Sequence, residues 1–309
     1  MIFLPVHMLL YYMKKYSLLL LLILPVFFAA CERDITIVPE VQSPRLVVDA
    51  QIEAGSPPLV VLSNSLNYFS TIDTAELYRS FVKNAQVTIT DGTKTSQLKF
   101  FETRLPGGFR SFYYTNDPAD PTGGIIGAIN KTYTLTIVAD GKTYTASTKI
   151  PAIRRTLDSL WYKPVPNRPA NDSFVIISAK ITDAPGLGDC VRYFTKVNSE
   201  IYWPGYNSVN DDNIIDGNTY SVDIAKGVDK NLPIDRDNFG FYKKGDTVLV
   251  KLSMIDRNTY NFWRTWEFTF QSIGNPFSNP GVVLGNISNG GLGAFCGYAP
   301  QIGRIIIPK

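Results

Sequence analysis

The sequence predicts a mainly β protein: an N-terminal immunoglobulin-like or transthyretin-like β-sandwich, then a second β-rich domain with one short helix. Three observations predict it. Short runs of alternating apolar and polar residues recur along the chain, which is the pattern of half-buried strands. Gly and Pro clusters separate these runs. Tyr and Phe number 17 and 18, and aromatic residues suit a pleated surface better than a helix.

Residues 32–44 (ERDITIVPEVQSP) read as an extended tether, because Pro39 and Pro44 interrupt sheet pairing. Strands are expected at 46–52, 59–65, 85–90, 96–101 and 111–115. The clearest hairpin is TYTLTIVADGKTYTAST, 132–148. Asp140-Gly141 tolerates positive φ at both turn positions. Pairing about it sets Ile137 opposite Tyr144 and Leu135 opposite Ala146, with Tyr133 on the same face. Pro151 breaks the following strand and marks a junction, giving domains 45–151 and 152–309. WYKPVPNRPAND (161–172) reads as a loop or edge. Strands follow at 173–183, 190–197, 219–224 and 247–256. In 258–271, Tyr260, Trp263, Trp266/Glu267 and Phe270 fall at helical spacing, with Asn258 as the cap.

The first thirty residues have another purpose. Lys14 and Lys15 precede an apolar run, Leu18 to Phe28, broken only by Pro25. Ala29 and Ala30 then lead into Cys31. Charge, apolar stretch and small residues, in that order, make a signal peptide spanning 1–30. The run is too short for a spanning helix, which needs about 20 apolar residues. Phe28-Ala29-Ala30-Cys31 resembles a bacterial lipobox, with Phe28 in place of the usual leucine. That resemblance implies acylation of Cys31, palmitate included, and 31–44 as a lipidated N-terminus and tether. Met13-Lys14-Lys15 reads as the natural start, with 1–12 an over-extension.

Removing residues 1–30 leaves 279 residues with 28 Lys+Arg against 27 Asp+Glu. A near-neutral chain lacks the basic stripe that nucleic acid requires. It also lacks histidine, since His7 lies in the leader. No Ser-His-Asp triad, Cys-His dyad or HExxH zinc helix can then be assembled. Asp140-Gly141-Lys142-Thr143 fails as a phosphate loop, because Thr136 stands where its first glycine belongs. No cofactor is expected. Carboxylate pairs remain a route to hydrolysis.

Four sets of candidate residues emerge. Cys190 and Cys296 either form a disulfide, which export permits, or stay as separate buried thiols. Asp211, Asp212, Asn213 and Asp216 offer calcium oxygen ligands, although the spacing is not that of an EF-hand and turn chemistry accounts for the cluster equally. Tyr202, Trp203 and Tyr206, in a Pro/Gly-rich loop (IYWPGY), make either a stacking surface or an apolar plug. The triplets at Asp73-Thr74-Ala75, Asp158-Ser159-Leu160 and Asp246-Thr247-Val248 resemble an O-glycosylation motif of exported Bacteroidota proteins, with Thr74, Ser159 and Thr247 as acceptors.

Three stretches carry a wider resemblance. PRLVVDAQIEAGSPPLVVLSNS follows the cysteine, VKNAQVTITDG leads to YTLTIVADGKTYTASTKIP, and NPFSNPGVVLGNISNGGLGAFCGY closes the chain. In that order they resemble the Bacteroidota lipoprotein family known as domain of unknown function 4249. The resemblance implies an outer-membrane lipoprotein, periplasmic-facing or surface-exposed, in company with a TonB-dependent receptor. It supplies no catalytic residues. The expected function is therefore a lipid-anchored, non-enzymatic binding or accessory protein of the cell envelope. The alternatives are a glycan or small-ligand binder and a carboxylate-dependent hydrolase.

Overall fold

Asp140 and Gly141 take φ values of 49° and 73°, and the hairpin they close pairs Ile137 with Tyr144 and Leu135 with Ala146, in the register expected from the sequence. Around it the computed structural model describes residues 43–66, 73–104, 108–169, 171–275, 277 and 281–309. The leader, Cys31 and the tether up to residue 42 lie outside the described residues.

The first half holds β1 (Leu46–Glu53), β2 (Leu59–Asn64), a short helix α1 (Thr74–Ser80), β3 (Gln86–Thr90), β4 (Thr95–Arg104), β5 (Arg110–Thr115), β6 (Thr132–Ala139) and β7 (Lys142–Lys149). Helix α1 has no counterpart among the sequence expectations; Asp73 caps it, accepting from the Glu76 N–H at 2.6 Å. Strand β4 pairs with β3 through Thr95–Leu98 and with β5 through Lys99–Arg104. The sheet folds over at that change of partner. Val48, Val60 and Leu62 on one side then meet Val87, Ile89, Leu135 and Ile137 on the other in one buried cluster. This is a β-sandwich.

The second half adds β8 (Arg155–Pro164), β9 (Phe174–Asp183), β10 (Cys190–Val197), β11 (Trp203–Asp211), β12 (Thr219–Ile224), β13 (Tyr242–Lys243), β14 (Thr247–Ile255), α2 (Arg257–Ser272) and β15 (Leu292–Ile306). Strands β11 and β15 stand where the sequence reading placed no strand, while β8 takes up the edge alternative for 161–164. Trp161 and Tyr162 belong to β8, an edge strand paired with β9. The IYWPGY segment enters strand β11 at Trp203. The glycine-rich stretch near the close of the chain turns at Asn289-Gly290 and then enters the 15-residue β15.

Strand β15 joins the halves. Leu292–Tyr298 runs parallel to β1, and Ala299–Ile306 runs antiparallel to β14. One sheet of eleven strands results, and Ser43–Lys309 is a single compact unit with the 151/152 junction inside it. Glycines permit this closeness. A Cβ on Gly293, whose φ is 89°, would lie 2.0 Å from the Val48 carbonyl oxygen. A Cβ on Gly297 would lie 2.7 Å from that of Lys149.

Helix α2 covers the outer face of β10, β14 and β15, where Cys190, Ile255, Cys296 and Tyr298 meet Tyr260 and Phe262. Its cap is Asp256, not Asn258. A capping oxygen must reach the N–H three residues on, and Asp256 Oδ1 accepts from Thr259 at 2.8 Å. Its Oδ2 accepts from the Lys149 N–H at 2.8 Å and the Thr148 hydroxyl at 3.0 Å. Asn258 has no second sheet to hold and stays exposed in the first turn. Asp256 thus caps the helix and closes the free edge of β7. Asp256→Ala leaves both sets of donors unpaired and lowers unfolding free energy by roughly 2 kcal/mol in urea titration; a change below about 0.5 kcal/mol would contradict this double role.

Candidate functional site

The candidate site is built where β11 and the 225–241 segment face each other. The ring of Tyr206 on β11 meets Phe239 edge-to-face, with centroids 5.7 Å apart at 88°. Pro233, Ile234 and Arg236 complete a groove of about 640 Å³ around them. A second groove of about 540 Å³ shares Pro233, Ile234 and Phe239 and extends past Lys226, Asp229 and Phe241. Aromatic edges beside charged side chains suit a ligand that is polar at its rim and apolar on its faces.

The three aromatic residues singled out in the sequence do not form one platform. Tyr202 lies under the Lys251 ammonium, 4.8 Å from its ring centroid, and Lys251 also pairs with Glu53 at 2.9 Å. The backbone carbonyl of Trp203 is packed against Gly227, where a Cβ would approach within 2.1 Å. Tyr206 alone of the three lines the groove around Phe239.

A buried ionic network holds this wall in place. Ser208 sits two residues after Tyr206 and donates through its hydroxyl (2.5 Å) and backbone N–H (2.9 Å) to the Glu267 carboxylate of α2. Lys230, from the 225–241 segment, reaches the same carboxylate at 3.3 Å and lies 4.9 Å over Trp266. Burial pulls the Lys230 ammonium below the ordinary lysine range, and Glu267 partly restores it. Arg192 donates to the Ser208 hydroxyl at 3.0 Å and to the Tyr298 hydroxyl at 3.1 Å, with its guanidinium 3.4 Å from the Trp263 centroid. Sequence pattern gave no signal for this network, because its members come from β10, β11, α2, β15 and the 225–241 segment.

The acidic cluster also divides. Asp211 pairs with Arg257 at 3.2 Å, and Asp216 accepts from the Gly186 N–H at 2.6 Å. Asn213 is exposed and donates back to Asp211. Asp212 turns inward and accepts from the N–H groups of Gly188 (2.7 Å) and Asp189 (2.8 Å). There it joins Asp183 and Asp189, with one oxygen of each within 4.8 Å of the others. Among the described residues, these three are the ones placed to hold a cation together. Two guanidiniums already face them: Arg155 reaches Asp183 at 2.7 Å, both fully buried, and Arg154 reaches Asp189 at 2.9 Å. The cluster ties the 184–188 and 212–218 turns to the start of β8. Burial raises the Asp189 carboxyl above its usual range despite Arg154.

Cys190 and Cys296 are both buried free thiols in the α2 cluster. Thr74 and Ser159 are exposed, while Thr247 is half-buried in β14, pairs with Ile306 and donates its N–H to Asn198. Cys31 lies outside the described residues.

Asp183→Asn strips the charge facing a fully buried Arg155, so unfolding free energy falls by roughly 3–5 kcal/mol in urea titration; a loss under about 1 kcal/mol would show the pair to be dispensable. Burial raises the thiols to about 11 for Cys190 and about 12 for Cys296. Thiolate is the reactive form. At pH ~8 both cysteines therefore stay unmodified by a thiol-exchange reagent until the chain is unfolded, when each reacts. Fast labelling of the folded chain would contradict the packing described.

Comparison with curated protein sequences gives no match. The family model described as a domain of unknown function (DUF4249) matches residues 32–302. That span takes in both sheets, the groove and helix α2, and the chain belongs to the DUF4249 family.

Proposed function

We propose that this chain is a lipid-anchored cell-envelope protein that acts by binding, as an accessory to an outer-membrane TonB-dependent transporter. The observation that carries the binding part is the groove of Tyr206, Phe239, Pro233, Ile234 and Arg236. Its wall is pinned from behind by Lys230, Glu267 and Ser208, so the aromatic edges are pre-organised, and ordering costs fall when a partner arrives. The anchoring part rests on the lipobox-like Phe28-Ala29-Ala30-Cys31, and the transporter part on what the family resemblance implies. In this reading acyl chains hold the protein at the membrane and the tether gives it reach.

A second reading has the same groove hold a glycan directly. The edge-to-face pair of Tyr206 and Phe239 favours it, since sugars use aromatic surfaces flanked by polar groups.

Capture of the tagged, lipidated protein from its own membranes separates the two. Recovery of a TonB-dependent receptor in near-equal amount supports the accessory role. A partner-free lipoprotein overturns it and leaves direct binding. In either case Phe239→Ala weakens retention of the partner or glycan by about fivefold to tenfold while the chain still unfolds in a single cooperative transition. Unchanged retention would exclude the groove.

A further inference from the structure

Residues 268–303 form a run without a single Asp, Glu, Lys, Arg or His, in a chain that is 18% charged. Part of this run is β15, whose buried centre has no use for charge. Outside β15, the described residues of this run expose large apolar side chains. Phe268 is 62% exposed, Ile273 75%, Val282 77% and Leu284 51%. Phe268 and Val282 border one groove of about 610 Å³ together with Arg264. Leu284 is held beside them by its N–H, which donates to the Thr265 hydroxyl at 3.0 Å. The acid of α2, Glu267, also lines this groove, but its carboxylate is buried and engaged by Ser208 and the Lys230 ammonium. The exposed Arg264 does offer positive charge, one turn before Phe268.

We propose that this face, formed by Phe268, Val282 and Leu284 with Arg264 at its rim, rests in the interfacial layer of a lipid bilayer. The occupant follows from three features. Exposed apolar side chains amid uncharged residues lose hydration cheaply when they enter the acyl boundary, where charged side chains would resist. A single arginine at the rim suits anionic headgroups. The third feature is chain length. Arg45, near the start of the described chain, donates to the Gly290 carbonyl at 2.8 Å through Nε. Six residues link Leu284 to Gly290, which places the carbonyl that Arg45 holds within about 20 Å of the apolar face. The twelve residues from Cys31 to Ser43 span up to about 40 Å. A chain anchored at Cys31 can therefore bring this face to the same bilayer. This last step rests on the anchoring proposed above; the face itself does not.

The test uses the mature chain with Cys31→Ser, so that no acyl chain contributes, and flotation with vesicles of phosphatidylethanolamine and phosphatidylglycerol. The unlipidated chain is expected to float with the vesicles. Phe268→Asp combined with Val282→Asp lowers the bound fraction by at least about tenfold, at an unchanged melting temperature since both positions are exposed. Arg264→Glu lowers it on these vesicles and has less effect on phosphatidylcholine alone. An unlipidated chain that stays in solution would overturn the proposal, as would a double variant that floats equally well. Loss of a co-purifying protein in the double variant, without any vesicle binding by the parent chain, would assign the face to a protein partner instead. The intact mass of the wild-type protein reports acylation of Cys31 separately, so failure of the anchor and failure of the face are distinguished.

Discussion

Strand β15 is the constraint on which the structure depends. Its first seven residues complete the N-terminal sandwich beside β1, and its last eight complete the C-terminal sheet beside β14. Each half therefore pairs with the last strand of the chain. The pairing joins residues nearly 250 positions apart in sequence, so its closure is entropically costly and must be supported by local packing. Gly293 and Gly297 make the approach sterically feasible, and the apolar side chains between them, Phe295 above all, fill the core that results.

The buried charges reinforce the same junction. Asp256 binds the N-terminal end of α2 to the edge of β7, and Lys251 on β14 meets Glu53 on β1. Arg155 and Asp183 lock β8 to β9, while Arg192, Ser208, Glu267 and Lys230 lock β10, β11, α2 and the 225–241 segment together. All but the Arg155–Asp183 pair, which joins consecutive strands, link elements distant in sequence. Buried ion pairs add little net stability over apolar packing, but losing one partner is severe. Such networks therefore favour one arrangement of the groove wall over its competitors.

The hairpin at 132–148 was legible to the register, because turn chemistry and alternation point to the same pairing. The strands at 190–197 and 219–224 were legible at their boundaries, and α2 by its aromatic spacing. The two strands missed share a cause. Pro204 in β11 and the glycines of β15 weaken local strand signals, and pairing with neighbouring strands overrides them. Of the residues the sequence singled out, Tyr206 lines the groove and Asp212 joins the buried carboxylates, each beside neighbours distant in sequence. Phe239 and Arg236 join Tyr206 across the 225–241 segment, and Asp183 and Asp189 join Asp212 across two turns.

The sequence by itself determined the class of structure, the family, and the absence of histidine from 31–309, since these follow from composition, alternation and short motifs that act locally. Tertiary structure decided which aromatic rings meet at a groove, which carboxylates are neutralised by arginine, that the two thiols stay apart from water as free groups, and that the halves share a strand. The physical reason is separation along the chain. Strand and turn preferences act over a few residues, whereas desolvation, ion pairing and close backbone approach are set by whichever segments the sheet brings together.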